Sequence, residues 1–283
     1  MNTSSTAYIN GKFLPLSEVT ISPLDRGFIF GDGVYEAIPV YAGLAFRLDS
    51  HLQRLENSLI AIRLDNPCSN EQWRDIVNQL IEKNQSGDQS LYIQVTRGVA
   101  ERDHAFPATK SATVFAMSKP LPAYQQEPIK AITRKDIRWQ WCHIKSTALL
   151  GNLLLRQEAI DAGCQESILL RDGILTEGAA SNVFIVKNNK IFTPEKNNNI
   201  LPGITRDITI ELAKENNIDI TETKINEQEL LNADEIWVTS ATKEIAPVIE
   251  LNGKPINGGE TGPICQTLQN LFNQFKQTLR DHS

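Results

Sequence analysis

The sequence predicts a mixed α/β protein, with α+β-type mixed sheets arranged in two domains, on three observations. Four turn pairs, Asn10-Gly11, Asp172-Gly173, Asn188-Asn189 and Asn252-Gly253, separate short apolar segments and mark antiparallel hairpins, because both turn positions tolerate positive φ. Five other stretches repeat apolar residues every three or four positions and read as helices. Hairpins interleaved with helices argue against a doubly wound parallel sheet.

Each element follows in chain order. Residues 7–14 form the first hairpin. Residues 33–41 alternate well enough for a strand, and Leu48, Leu52, Leu55, Leu59 and Ile62 define one helix face with Asp49 or Ser50 as its N-cap. Trp73, Ile76, Val77, Leu80 and Ile81 define a second helix, ending at Ser86-Gly87. Strands follow at 91–97 and 111–117. The stretch 119–128 carries three prolines and almost no periodicity, so it is read as a linker between a domain at 1–118 and a domain at 129–283. Beyond it come a strand at 129–133, a helix at 149–160, hairpins at 167–175 and 183–192, and a helix beginning just after Gly203. A short strand at 235–239, a hairpin at 248–256 and a closing helix through Ile264, Leu268, Leu271, Phe275 and Leu279 complete the chain.

Composition narrows the function. The 283 residues are 41% hydrophobic and 22% charged, enough for one large core or two smaller ones. Twenty-eight Lys+Arg against 34 Asp+Glu give a net charge of −6, the opposite of a nucleic-acid footprint. There is no unbroken run of about 18 apolar residues and no basic-then-apolar start, so a soluble, unexported, cytoplasmic protein is expected, with no membrane partner. Cys68, Cys142, Cys164 and Cys265 are far apart in sequence and read as reduced thiols. No His-Glu-x-x-His, elbow serine or phosphate-loop pattern is present, and Gly31-Asp-Gly33 lacks the third glycine of a dinucleotide fingerprint.

Several residues can carry chemistry. Lys145 lies among apolar and aromatic neighbours, Trp139 to Leu150, where desolvation favours a neutral, nucleophilic amine suited to imine formation; its other reading is a lysine that snorkels to water. The glycine turn before Ile204 and Thr205 opens a helix whose unpartnered amides can hold a phosphate, or only water. Ser240 and Thr242 add donors at a strand end, or form a plain hydroxyl turn. Arg54 offers a counter-charge, or is a solvated helix arginine. Glu177, followed by small residues, can keep a pyridine nitrogen protonated, or sits in a surface turn. Arg102 and His104 are two donors suited to a substrate carboxylate, or solvated loop residues.

In order and spacing, these features resemble the fold-type IV pyridoxal-phosphate enzymes, most closely the D-amino-acid aminotransferases. The resemblance runs from Tyr8 to the final helix. It is carried by Asp25-Arg-Gly27, Gly31-Asp-Gly-Val-Tyr-Glu36, Gln94-Val-Thr-Arg-Gly98, Arg102-Asp-His104, Asp136-Ile-Arg-Trp139 and Ile144-Lys-Ser146. It continues through Leu175-Thr-Glu-Gly178, Ser181-Asn-Val-Phe184, Gly203-Ile-Thr-Arg-Asp207 and Val238-Thr-Ser240.

The resemblance implies the two-domain fold-type IV architecture and pyridoxal 5′-phosphate as cofactor. By it, Lys145 holds the cofactor covalently and moves the substrate proton, and Glu177 pairs with the pyridine nitrogen. Arg54, Ile204, Thr205 and the segment Ser240, Ala241, Thr242 bind the phosphate, Leu201 lies against the ring, and Arg138 sits near the ring hydroxyl. Tyr35 of one subunit, with Arg102 and His104 from the other, traps the substrate carboxylate, which implies a homodimer acting on small-molecule D-amino acids and 2-oxoacids. The implied reaction is D-alanine + 2-oxoglutarate to pyruvate + D-glutamate, in two half-reactions through pyridoxamine phosphate. Aminodeoxychorismate lyase and branched-chain L-amino-acid aminotransferase are the alternatives within the same fold. Relatives carry threonine where this chain has Ala241, which implies one lost phosphate contact, about 1 kcal/mol.

Overall fold

The computed structural model describes residues 5–84, 87–108, 111–121 and 127–281, with side chains described up to Thr278. The chain divides into two compact units, one of Met1–Ala123 with Ile144–Leu149 and Leu279–Ser283, the other of Tyr124–His143 with Leu150–Thr278. The segment Ile144–Leu149, which carries Lys145, therefore groups with the first unit, whereas the sequence reading assigned it to the second. Part of the expected linker, 122–126, lies outside the described residues, and a strand extends into its start.

In the first unit, Asn10 (φ 44°) and Gly11 (φ 89°) turn β1 (Thr6–Ile9) into β2 (Lys12–Pro15), with Ile9 opposite Lys12. Then come α1 (Arg26–Phe30), β3 (Gly33–Tyr41), β4 (Leu44–Ala45), α2 (Leu48–Ala61), α3 (Asn70–Lys83), β5 (Gln89–Thr96) and β6 (Thr113–Pro120). The six strands pair antiparallel in the order β2-β1-β6-β5-β3-β4. The predicted apolar faces of α2 and α3 cover this sheet: Leu52, Leu55, Leu59, Trp73 and Leu80 join Val34, Ile38, Leu91 and Ile93 in one buried cluster.

Three local details differ from the sequence reading. Helix α2 starts at Leu48, and its N-cap is Arg47 at φ 49°, with no side-chain cap; Asp49 lies in the first turn, where its charge suits the helix dipole. Helix α3 ends at Lys83, because Asn84 returns its side-chain amide to Leu80 O (2.9 Å) and accepts from Thr6 N (2.8 Å); Ser86 lies outside the described residues. Its start is a capping box, Ser69 with Gln72, which the apolar periodicity did not reveal.

The second unit holds β7 (Ile129–Lys135), α4 (Leu150–Asp161), β8 (Glu166–Arg171), β9 (Ile174–Gly178), β10 (Asn182–Lys187) and β11 (Lys190–Thr193). It continues with α5 (Ile204–Glu215), β12 (Ile220–Glu222), α6 (Glu227–Leu231), β13 (Glu235–Ser240), β14 (Glu244–Leu251), β15 (Lys254–Pro255) and, as far as Thr278, α7 (Pro263–Asp281). The sheet runs β12-β11-β10-β13-β14-β7-β8-β9, with β15 on β14. Hairpins supply the antiparallel pairs β8–β9, β10–β11, β13–β14 and β14–β15, and β10 pairs antiparallel with β13 across the intervening elements. The pairs β7–β8, β11–β12 and β14–β7 are parallel, the first two joined through α4 and α5. The mixed sheet expected from hairpins interleaved with helices is the one observed. Alternation puts Val183, Ile185, Ile236 and Val238 in one buried cluster, while Phe184 and Trp237 stack 5.4 Å apart at 9°. Among the described residues no helix is long and apolar enough to cross a membrane.

Gly98, two residues beyond β5, has a φ of +84°, and a Cβ there would meet Ser111 O at 1.8 Å. Gly98→Ala should lower stability by about 3 kcal/mol, combining left-handed strain with a backbone clash, as measured by urea denaturation.

Candidate active site

Lys145 is placed by backbone pairing rather than by a helix or a long strand. Tyr35 N donates to Lys145 O (2.9 Å), Thr147 N donates to Gly33 O (3.0 Å), and Ser146 bridges Val34, so residues 145–147 lie along β3. From α2, the buried Ser58 accepts Lys145 N at its hydroxyl (3.2 Å). Ile144 and Ser146 are buried, while Lys145 is half-buried. Its Nζ lies 4.2 Å from the centre of the Tyr35 ring, a cation–π contact. The aromatic group facing the amine is thus Tyr35; the sequence neighbours Trp139 and Trp141 are 46% and 53% exposed.

One residue along β3 from Tyr35, on the opposite face, Glu36 is completely buried. Arg54 grips it with both arms, Nε to Oε1 and Nη2 to Oε2, each 2.8 Å, and His51 Nδ1 lies 2.7 Å from Oε2. Burial alone would raise the Glu36 carboxyl, but Arg54 and His51 together outweigh it and hold the group well below the usual carboxylate range. Burial lowers His51 despite Glu36, so the imidazole is neutral at pH 7 and donates its Nδ1–H to the carboxylate. Arg54 is therefore a buried, oriented guanidinium and not a solvated helix arginine. Sequence reasoning missed Glu36 and His51 as its partners; the signal was a glutamate inside an otherwise apolar strand and a histidine three residues before Arg54 on one helix.

The second unit contains a denser charged group. Arg138 donates to Asp136 (Nε to Oδ1 and Nη2 to Oδ2, both 2.9 Å) and to Glu177 Oε1 through Nη1. Arg171 Nη2 adds a second cation 2.9 Å from Asp136 Oδ2, and Thr176 Oγ1 donates to the same oxygen (3.0 Å). Glu177 Oε2 accepts from Asn182 Nδ2 (3.0 Å) and Leu201 N (2.9 Å). Burial pushes the Glu177 carboxyl up to about 7, against the pull of Arg138 and the Leu201 amide. It is a buried strand residue in β9, and the surface-turn reading of it does not hold. Sequence reasoning also missed Asp136 and Asn182 as site residues, although both lie in stretches that carry the resemblance.

Asn182 links this carboxylate to the start of α5. Its amide also donates to Leu201 O (2.9 Å), and its Oδ1 occupies the space beside Gly203, where a Cβ would stand 2.0 Å away. Gly203 is the N-cap of α5, and no side chain caps that end, so the first amides, at Ile204 and the buried Thr205, face outward from a 12-residue helix. At the β13–β14 turn, Ser240 Oγ accepts Lys243 N (3.0 Å), a hydroxyl turn; Ala241 is half-buried and Thr242 exposed. In the first unit, Arg102 and His104 are exposed on the 98–107 loop and both approach Phe30, at 5.5 and 5.6 Å. The structure thus brings Lys145 to Tyr35, Arg138 to Glu177 and Leu201, and Arg102 to His104 over one ring.

The family model for amino-transferase class IV matches residues 33–251, and the chain belongs to that family: it is a transaminase. Among curated relatives, the D-alanine aminotransferase of Bacillus licheniformis is 41% identical over 263 residues, 92% of this chain and 93% of that protein. The D-alanine aminotransferase of Staphylococcus aureus (strain N315) is 39% identical over 272 residues, 95% of this chain and 96% of its own. Among solved structures, the branched-chain amino acid aminotransferase of Escherichia coli superposes with a TM-score of 0.91 at 28% identity, covering 96% of this chain and 94% of that one. The branched-chain aminotransferase of the thermophilic archaeon Thermoproteus uzoniensis, solved with norvaline, does so at 0.90 and 26%, covering 96% and 95%.

Glu36→Gln leaves the buried Arg54 without its anion and should cost about 3–5 kcal/mol in urea denaturation at pH 7. The Glu36 carboxyl is depressed in the fold, so its contribution is present above the ordinary value of 4.5 and drains away as pH falls below it. The stability gap between wild type and variant should therefore narrow on acidification below 4.5; a gap that widens contradicts the pairing.

Proposed function

We propose that this transaminase uses pyridoxal 5′-phosphate to exchange the amino group of D-amino acids with 2-oxoacids, with D-alanine and 2-oxoglutarate giving pyruvate and D-glutamate. The observation that carries the reading is identity of 37–41% to D-alanine aminotransferases, spanning at least nine-tenths of both chains. The branched-chain enzymes share the fold at lower identity, 26–28%. The Arg102/His104 pair favours the D-amino-acid reading over branched-chain L-aminotransferase and aminodeoxychorismate lyase.

The residues fit the cofactor. A carboxylate has about four acceptor directions, and three donors on Glu177 leave one for a further N–H. A carboxyl raised by burial to about 7 ionises fully only beside another positive group, and a protonated pyridine nitrogen supplies it. The uncapped start of α5 offers amides to a phosphate, and the family resemblance implies that Ile204, Thr205, Ser240, the backbone of Ala241, Thr242 and Arg54 would hold it. Leu201, with both backbone polar groups fixed, would lie against the ring, and Arg138 near the ring hydroxyl.

Bound pyridoxal phosphate supplies an electron sink for the pair released when the substrate Cα loses its proton. Lys145 Nζ would hold the cofactor until the substrate amine displaces it, and the freed amine would then receive that proton and return it, acting as base and then acid. Glu177, as a carboxylate, would keep the pyridine nitrogen protonated by pairing with it. Tyr35, with Arg102 and His104 of the other subunit, holds the α-carboxylate so that the hydrogen of a D-amino acid faces Lys145.

A homodimer is part of this reading. Helix α4 turns Leu150 (70% exposed), Leu153 (61%) and Leu154 (51%) outward, an apolar face of the kind that soluble monomers rarely leave uncovered. A cytoplasmic location accords with four free cysteines.

The experiment is to mix the enzyme with D-alanine and follow conversion to the pyridoxamine form. Conversion is expected with D-alanine and should be at least about 1,000-fold slower in Lys145→Ala, with circular dichroism unchanged. Silence with D-alanine alongside a response to L-leucine would overturn the substrate assignment, and near-normal turnover in Lys145→Ala would overturn the role of the lysine.

A further inference from the structure

Arg102 and His104 are exposed, so burial does not hold them where a substrate carboxylate needs them. The backbone beneath them is nevertheless fixed to the segment around α1. Arg26 N donates to Gly98 O (2.9 Å), Ala100 N donates to Leu24 O (3.3 Å), and Asp25 bridges Val99. The side chain of Arg26 then reaches under the loop. It is 4% exposed; Nε donates to Asp32 Oδ2 (2.8 Å), and Nη1 donates to Asp103 O (2.5 Å) and Ala105 O (3.2 Å), the carbonyls on either side of His104.

Phe30, at the other end of the same short helix, supplies a second support. Its ring has Arg26 4.8 Å from its centre, Arg102 at 5.5 Å and the His104 ring at 5.6 Å. A buried guanidinium is costly to desolvate, and here Nη1 is given to both carbonyls flanking His104 while Nε is held by Asp32. One contact fixes the backbone that carries the two donors. The other gives both side chains a shared apolar face, which removes rotamer freedom before any substrate arrives.

We propose that Arg26 and Phe30 are positioning residues for substrate recognition, holding Arg102 and His104 in the orientation that receives the α-carboxylate. The proposal rests on the transaminase reading above and deepens its substrate-binding half. Neither residue is assigned to the cofactor or to proton transfer, so their loss should act on carboxylate binding and spare the chemical step.

The test uses the holoenzyme with D-alanine. Arg26→Gln and Phe30→Leu should each raise KM about tenfold, while kcat changes less than about threefold and the cofactor absorption maximum stays in place. In an Arg102→Ala/His104→Ala background the same substitutions should raise KM no further. An equal rise in both backgrounds marks a merely structural effect and overturns the proposal. Should Arg26→Gln not fold, Phe30→Leu carries the test, because it leaves the buried Arg26–Asp32 pair in place. If Arg102→Ala itself leaves KM unchanged, the carboxylate role fails and the positioning role with it. If Arg102→Ala raises KM but neither Arg26→Gln nor Phe30→Leu does, only the positioning role fails.

Discussion

The pairing of residues 145–147 with β3 is the constraint on which the chemistry of the first unit depends. A lysine side chain has four rotatable bonds and no preferred direction, so the reach of its amine is set by where its Cα is fixed. Here the Cα is fixed by backbone hydrogen bonds to a strand that is itself paired with β5 along its full length. The same strand carries Tyr35 on the lysine's side and Glu36 on the other, so one strand orients the amine, an aromatic partner and the carboxylate that fixes Arg54. Sites built on a regular element hold their geometry better than sites built on loops.

Buried charge recurs throughout the chain and follows one logic. Glu36 with Arg54, Asp136 with Arg138 and Glu177, and Asp32 with Arg26 and Arg97 are all largely withdrawn from water and connected by short, directional hydrogen bonds. Such pairs add little net stability compared with apolar packing, because desolvation offsets most of the Coulomb gain. What they contribute is direction: a guanidinium held at two points cannot rotate. In each unit the apolar clusters supply the stability, and the buried charges fix the side chains that would meet a ligand.

Much of this was legible in the sequence where local rules decide. Asn10-Gly11, Asp172-Gly173, Asn188-Asn189 and Asn252-Gly253 all form turns with both central residues at positive φ, as the type I′ turn of a two-residue hairpin requires. The apolar faces of α2 and α3 are the ones their periodicity drew. Helices α1 and α6, of five residues each, and the three-residue strand β12 are too short to show a period, so no pattern announced them. The start of α2 was misplaced because a left-handed Arg47, set by the turn out of β4, begins the helix without a capping side chain.

At the site, residue context made Lys145 and Glu177 candidates and the family resemblance gave them roles, but neither pointed to the groups that orient them. Asn182 reaches Leu201, His51 reaches Glu36 and Asp136 meets Thr176 across separate elements, and the burial that makes these contacts matter is not displayed by a single sequence. The central claim is that Lys145 forms the covalent link to the cofactor aldehyde. Borohydride reduction of the holoenzyme followed by peptide mapping tests it most directly: the phosphopyridoxyl label is predicted on the peptide containing Lys145, and a label on any other lysine, or none, would contradict the account.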